Sequence, residues 1–263
     1  MCVNYENDLE EDIVLQAAIH VKHVRTQRAL ANDKVKSATF ANDKANKVPH
    51  QDKVQTIIMD CCQNLSLPHL GEDQPVDVYY FSPLSIFCFG RCDTVSNHLS
   101  AYVYDESEGG KGGNNVASLI LQYVRQNYVD TSLGPMSELN IIMDNCAGQN
   151  KNCMVIWMAA YVLKLKYFRK INLIFLVKGH TKNMCDRMFN SMKSRCQHRN
   201  VYTLNDTFRI LNLDDTVTVY PTSSTNFYDW DSIFDTIYKR PKAGSIKKII
   251  YFNSQIHPLI HVL

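Results

Sequence analysis

Apolar and polar positions alternate along the chain in a way that predicts one long helix followed by interleaved strands and helices. Residues 8 to about 46 read as helix: Asn7 or Asp8 can cap the start, and Glu10, Glu11 and Asp12 fall in the first turn, where the helix dipole favours acids. Ile13, Leu15, Ala17, Ala18, Val21 and Val24 then recur with loose helical spacing. Val54 to Met59 is the first strand, ending on Asp60. Val76 to Asp93 is aromatic and β-branched, and reads as one long strand or two short ones. Gly90 to Asn97 is expected to turn it into a third strand, Asn97 to Asp105, with Leu99, Ala101 and Val103 alternating. A helix from Asn114 or Asn115 follows, with Val116, Leu119, Ile120, Tyr123 and Val124 on one face.

The next stretch organises the rest. Leu139, Ile141, Ile142 and Met143 form a central-strand run that ends on Asp144, followed by the polar turn Asn145-Cys146-Ala147-Gly148-Gln149-Asn150. The helix after it, Cys153 to about Tyr167, is apolar nearly all round and should be deeply buried. A second central strand, Ile171 to Val177, ends in Lys178-Gly179-His180-Thr181. A helix from Asn183 past Gln197 buries Cys185, Phe189, Met192 and Cys196 and carries Asp186 in its first turn, off that stripe. Beyond residue 200 the pattern loosens into a small helix within 201–212, a strand at 216–220, a short helix at 230–238 and a strand at 249–252. The expected organisation is an N-terminal basic helical region (1–50), a core (51–200) and a C-terminal extension (201–263).

Composition adds bounds. The 263 residues are 45% hydrophobic and 21% charged, which is a globular balance. A net charge of +2 neither demands nor excludes a nucleic-acid partner. Lys22, Arg25, Arg28, Lys34, Lys36, Lys44 and Lys47, against Asp33 and Asp43, are explained better by a solvated helix face than by phosphate binding. The start has no signal-peptide pattern, the longest apolar run (Cys153 to Leu163) is too short to span a bilayer, and the nine cysteines show no disulfide spacing. An intracellular protein with reduced thiols and no membrane association is expected. The glycine-rich run around Lys111 lacks the Ser or Thr that a phosphate-cradling loop needs, and reads as a flexible turn.

From residue 54 the order is strand, strand, strand, helix, strand, helix, strand, helix. This resembles the ribonuclease-H-like fold, a three-layer α/β architecture on a mixed five-stranded central sheet. There the first strand lies beside the fourth, which brings Asp60 and Asp144 together, and the closing helix presents Asp186. Taken singly, each aspartate reads as a strand-end or helix-start residue. Together they suit two divalent cations roughly 4 Å apart, Mg²⁺ or Mn²⁺, clamping the attacking and leaving oxygens of a phosphoryl displacement. Asn145, Gln149 and Asn150 would support the ligands, His180 would shuttle a proton or contact phosphate, and Glu106 is a reserve ligand.

Two segments carry a more specific resemblance: Met143-Asp144-Asn145-Cys146-Ala147-Gly148-Gln149-Asn150-Lys151-Asn152, and Gly179-His180-Thr181-Lys182-Asn183-Met184-Cys185-Asp186-Arg187-Met188-Phe189. They resemble an uncharacterised family of transposon-derived proteins, abundant in oomycetes and insects, with D-N-C-x-G-Q-N-[KR]-N and G-H-[ST]-x-x-x-C-D-R signatures. The similarity covers roughly residues 54 to 252. It implies an integrase or transposase core in which Asp60, Asp144 and Asp186 are the acidic triad. Lys193 stands where some relatives carry a glutamate.

The expected function is a metal-dependent polynucleotidyl transferase or nuclease acting on DNA in the nucleus, with a second copy of the chain as a further candidate partner in a homo-oligomer. Lys111, Lys151, Arg187, Lys193, Arg195, Lys239, Arg240, Lys242, Lys247 and Lys248 would contact phosphates, so binding would fall steeply with salt. The alternative is a module of the same fold that binds nucleic acid or protein without catalysis.

Overall fold

Three strands whose residues are apolar on both faces pair in parallel at the centre of the molecule: β1 (Val54–Cys61), β5 (Met136–Met143) and β6 (Phe168–Phe175). β3 (Leu84–Asp93) runs antiparallel to β1, and β4 (His98–Asp105) antiparallel to β3. The computed structural model describes residues 2–41, 48–71, 80, 82–128, 133–177, 179, 183–212, 215–240, 246 and 251–253; side chains of 2–12, 41 and 251–253 are not among them.

The sheet is mixed, as expected, but larger than five strands. Seven lie in line in the order β7-β4-β3-β1-β5-β6-β8, and a short strand, β2 (Leu65–Leu67), pairs with β3. Both outer strands come from the C-terminal residues. β7 (Val217–Pro221) runs parallel to β4, and β8 (Tyr251–Asn253) antiparallel to β6. Residues 217–221 and 251–253 thus extend the sheet at both ends. Strands were expected close to both places, but sequence does not show where they pair.

Side-chain alternation splits the core into two layers. Ile57, Met59, Leu139, Ile141, Met143, Ile171 and Leu173 face α2 (Gly113–Asn127), α3 (Cys153–Lys164) and α6 (Trp230–Asp235). Ile58, Ile142 and Ile174 face α1 (Cys2–Ala41), α4 (Met184–Gln197) and α5 (Leu204–Leu211). Helices thus cover both faces of the sheet. α3 buries Met154 to Ala159 and Val162, as its all-round apolar sequence predicts. It stops at Lys164, short of Tyr167, because Lys166 adopts a left-handed φ of 62°. Trp157 stacks on Tyr238 at 5.8 Å, and the Trp230 indole N–H donates to Ser118 Oγ at 2.9 Å, which ties α6 to the body. No helix among the described residues is long and apolar enough to cross a membrane.

Three local expectations change. α1 begins at Cys2, ahead of the capping residues Asn7 and Asp8, and ends at Ala41. The turn between β3 and β4 is Thr94–Asn97; Gly90 and Arg91 belong to β3. Asp93 makes that turn by accepting from the Val95 N–H at 2.8 Å, and Asn97 takes φ 55°. The first half of the 76–93 region lies outside the described residues except for exposed Tyr80. Arg91 itself is buried, its guanidinium 4.7 Å from the Tyr102 ring centre and near Phe89 and Tyr123. Burial lowers its pKa to about 10, so it stays charged at neutral pH.

A polar row crosses the apolar centre. Thr56, Asn140 and Asn172 are register partners on β1, β5 and β6. Asn172 Nδ2 donates to Asn140 Oδ1 at 2.8 Å, Asn140 Nδ2 to Thr56 Oγ1 at 3.1 Å, and Thr56 Oγ1 to the Lys34 carbonyl of α1 at 3.0 Å. Two residues along β5, Glu138 takes Lys34 at 2.6 Å and Lys170 at 2.8 Å. Burial opposes its charge, but those two lysines hold its carboxyl below the usual range. Replacing Asn140 by Ala leaves buried partners on both sides unpaired. We expect Asn140→Ala to lower stability by about 2–3 kcal/mol in urea unfolding, more than Ala at an exposed β4–β7 surface position.

Candidate acidic site at the carboxyl ends of the central strands

Strand register places the first two acids. Met59 of β1 lies opposite Met143 of β5, so Asp60 and Asp144 follow at the same level of neighbouring parallel strands. Asp60 lies two residues beyond Ile58 and Asp144 two beyond Ile142, both of which face the α4 side of the sheet. This is the edge at which open α/β sheets place ligands.

The start of α4 brings in the third. Asn183 caps the helix and forms a reciprocal capping box with Asp186: the Asn183 N–H donates to Asp186 Oδ2 at 2.9 Å and the Asp186 N–H to Asn183 Oδ1 at 3.2 Å. The same Asn183 donates through Nδ2 to Asp60 Oδ2 at 3.3 Å, so one amide links two of the acids. Cys185 Sγ bonds to the Ile58 carbonyl at 3.1 Å and anchors α4 over β1. Gly90, register partner of Asp60, makes room for the helix: a Cβ there would lie 2.5 Å from Phe189 Cζ.

The charges of the other two acids reach Asp60. Burial, then the charges of Asp186 and Asp144, raise the Asp60 pKa from 3.8 to about 6, against the opposing bonds from Asn183 and the Cys61 N–H. Neighbouring Cys61 is no ready nucleophile, since burial pushes its thiol up to about 12.

The turn after Asp144 is wound around its own polar groups. The Cys146 carbonyl accepts from the N–H groups of Gln149, Asn150 and Lys151 at 3.3, 2.8 and 2.8 Å. Asp144 Oδ1 accepts from the Cys146 N–H at 3.3 Å and from the Asn150 side chain. Asn150 is fully buried, and its Oδ1 has no partner among the described residues. Asn152 caps α3 by accepting from the Val155 N–H at 3.1 Å and donates to the Gln149 carbonyl at 2.9 Å. Each polar residue from Asp144 to Asn152 except exposed Asn145 therefore has a place in this turn, Gln149 through its backbone.

The donor set suits a hard cation: three carboxylates in one field and a buried, unpartnered amide oxygen beside one of them. Asp60, Asp144 and Asp186 would hold such an ion. As the side chains stand, no three His, Cys, Asp or Glu among the described residues are close enough to ligate one together. Asn183 and Asn150 occupy carboxylate oxygens instead.

The remaining expected residues divide. Glu106 is exposed in the turn after β4 and is not among the groups whose charges shift Asp60 most. His180, Lys242, Lys247 and Lys248 lie outside the described residues. Several expected phosphate contacts are engaged within the fold. Lys111 donates to Asn64 Oδ1 and to the Cys62 carbonyl, beside the Phe87 ring. Lys193 donates to Gln63 Oε1 at 2.8 Å, and Arg195 to the Leu211 carbonyl at 3.1 Å. Arg240 bridges Asp231 and Asp235 at 2.8 and 2.7 Å, and hydrogen bonds to Asp235 and Asp231 raise its pKa further. Lys151 is buried 5.6 Å from the Phe175 ring centre, and burial lowers its pKa. Arg187 and Lys239 remain exposed. The reason is common to these cases: a cation near a carbonyl or carboxylate in the fold satisfies that group first, which sequence order does not show. Conversely, Asn183, Cys185 and Gly90 were not among the expected site residues. The Asn183-x-x-Asp186 spacing was a legible capping-box signal.

A family described as a domain of unknown function, DUF7869, matches residues 93–257. The chain belongs to that family. Asp144 and Asp186 lie inside the DUF7869 match, and Asp60 precedes it. No curated protein matches the chain. Among solved structures, the crystal structure of NurA is similar at 8% identity and a TM-score of 0.19, over 86% of this chain and 48% of NurA. The chain spans about half the length of NurA, and a likeness at that level carries no argument about this DUF7869 member.

Two outcomes follow. An acid whose pKa is raised on folding is best tolerated protonated, so its favourable contribution is complete below pH 3.8 and lost as pH rises through about 6. Asp60→Asn should remove that loss, making the variant more stable than wild type above pH 6 by on the order of 2–3 kcal/mol and similar at pH 4. Urea unfolding across that range checks it. Gly90→Ala should cost about 1–3 kcal/mol, because the new methyl meets the Phe189 ring. Phe189→Leu in the same chain should recover part of the loss, read by thermal unfolding.

Proposed function

We propose that this protein is a metal-dependent phosphodiester-cleaving or strand-transfer domain acting on DNA, with a ribonuclease-H-like core of the transposon-derived kind. The observation that carries this reading is the raised pKa of Asp60, caused after burial by two acids from the end of β5 and the start of α4. A perturbed carboxylate set among acids from distant segments is a candidate site for chemistry. The five central strands, in the order β4-β3-β1-β5-β6 with β1, β5 and β6 parallel, support the fold assignment. The two signature segments form the Asp144 turn and the cap of α4, the two places that hold the acids.

In this mechanism Asp60, Asp144 and Asp186 bind Mg²⁺ or Mn²⁺. The ions would activate the attacking water or 3′-hydroxyl and neutralise charge on the phosphate. The chain's own residues do the rest. Asn183 holds Asp60 and Asp186 at a common height, and Asn150 orients Asp144. Asp60 must lose its proton before it can ligate, so metal affinity should rise as pH passes through about 6. Arg187, exposed one residue after Asp186, is placed to meet a phosphate. A nuclear site of action follows from a DNA substrate.

A second reading has an observation behind it. Lys111, Lys193, Arg195 and Arg240 are engaged within the fold, and amides already occupy two of the acids. That pattern suits a binding module without catalysis. Calorimetric titration with Mn²⁺ separates the two. The catalytic reading expects micromolar binding that weakens below pH 6, is lost in Asp144→Asn, and accompanies Mn²⁺-dependent nicking of plasmid DNA. A folded wild type that neither binds Mn²⁺ nor cuts DNA would leave the binding module.

A further inference from the structure

We propose that the outer half of α1 is a self-association element, pairing antiparallel with α1 of a second copy of this chain. The helix has two halves of different character. From Val24 onward it packs on the sheet, burying Val24, Gln27, Ala31 and Ala38. From residue 13 to residue 23 every position is exposed. Within that exposed part, Ile13, Val14, Leu15, Ile19 and Val21 are 63, 67, 58, 47 and 45% accessible, with no charged residue between Ile13 and Val21. A solvated helix would carry polar residues there, and an apolar one left open marks an interaction surface. Residues 2–23 of the helix extend over about 30 Å, long enough for several layers of contact.

The exposed apolar face continues an interface the fold already uses. Val14, Ala17, Val21, Val24, Ala31, Val35 and Ala38 recur at the alternating three- and four-residue spacing of a helix-packing seam, broken only by Arg28. The inner members of that seam meet the sheet. The outer members run past it, and nothing among the described residues covers them.

Charge selects the occupant and its direction. Glu6, Asp8, Glu10, Glu11 and Asp12 precede the apolar window with no basic residue among them, and Lys22, Arg25 and Arg28 follow it with no acid. A parallel partner would set acid against acid and base against base. An antiparallel copy crossing at Ala17 and Ala18 sets residues 10–12 of each helix beside residues 22–25 of the other, at both ends of the contact. The two alanines let the helices approach closely at the crossing. The neutral centre, flanked by opposite charges in self-complementary order, is what a two-fold interface requires. The inference does not depend on the catalytic reading.

Light scattering after size exclusion on the full chain tests it. Wild type should run at twice the 30.2 kDa of one chain. Glu10→Lys/Glu11→Lys/Asp12→Lys should weaken association by about 10- to 100-fold, as should Lys22→Glu/Arg25→Glu. An equimolar mixture of the two should regain the dimer, since each supplies the charge the other lost. Val21→Glu, at an exposed seam position, should give a monomer with unchanged helical circular dichroism. A monomeric wild type at tens-of-micromolar protein, association untouched by either charge reversal, or a mixture that stays monomeric would each overturn the proposal.

Discussion

Thr56, Asn140 and Asn172 stand side by side on β1, β5 and β6, joined by side-chain hydrogen bonds in the most deeply buried part of the sheet. Their alignment admits one register. A slip of one residue would turn the amides into the apolar layer against α2 and α3 and leave them unpaired. That register also sets Met59 beside Met143, and so Asp60 beside Asp144. The acidic site is therefore a consequence of how three central strands satisfy their polar groups. The Lys34 carbonyl, which completes the row, extends the same constraint to α1.

The site itself works against the stability of the fold that holds it. Burial disfavours a charge on Asp60, the charges of Asp186 and Asp144 add to that, and its pKa is raised to about 6. Two amides moderate it: Asn183 serves Asp60 and the helix cap at once, and Asn150 serves Asp144. Gly90 contributes by absence, leaving space for Phe189 so that α4 can lie close enough to deliver Asp186. Polar and packing terms thus converge on the first turn of one helix. Fold-determining residues and site residues are largely the same residues there.

α1 links the two scales of the molecule. Its inner half is fixed by Lys34 to Glu138 and by small buried residues, Ala31 and Ala38, that let it lie close to the sheet. Its outer half has the composition of an interface, and among the described residues its apolar side chains from Ile13 to Val21 stay exposed. The basic residues read from sequence as a solvated helix face are divided by this geometry. Lys34 is in an ion pair, and Arg25 is exposed at the junction of the two halves.

Elements with strong local periodicity were legible in the sequence. α2, α3 and α4, the central strands and the two strand-end or helix-start acids all follow from apolar spacing and from where it breaks. The neighbouring places of Asp60 and Asp144 follow too, because strand order implies neighbours once a topology is assumed. Other features required the tertiary structure. The strands β7 and β8 fall near the expected 216–220 and 249–252, but their pairing with β4 and β6 at the two ends of the sheet was not legible. Gly90 looked like a turn because glycine usually is one; its role depends on Phe189, about a hundred residues away. Lys111, Lys193 and Arg195 looked like free cations because their partners at Cys62, Gln63 and Leu211 are brought in by folding. Sequence alone determined which groups carry charge and which faces are apolar, since both are local properties. Only the folded chain decided which charges are left over, because that depends on who stands next to whom.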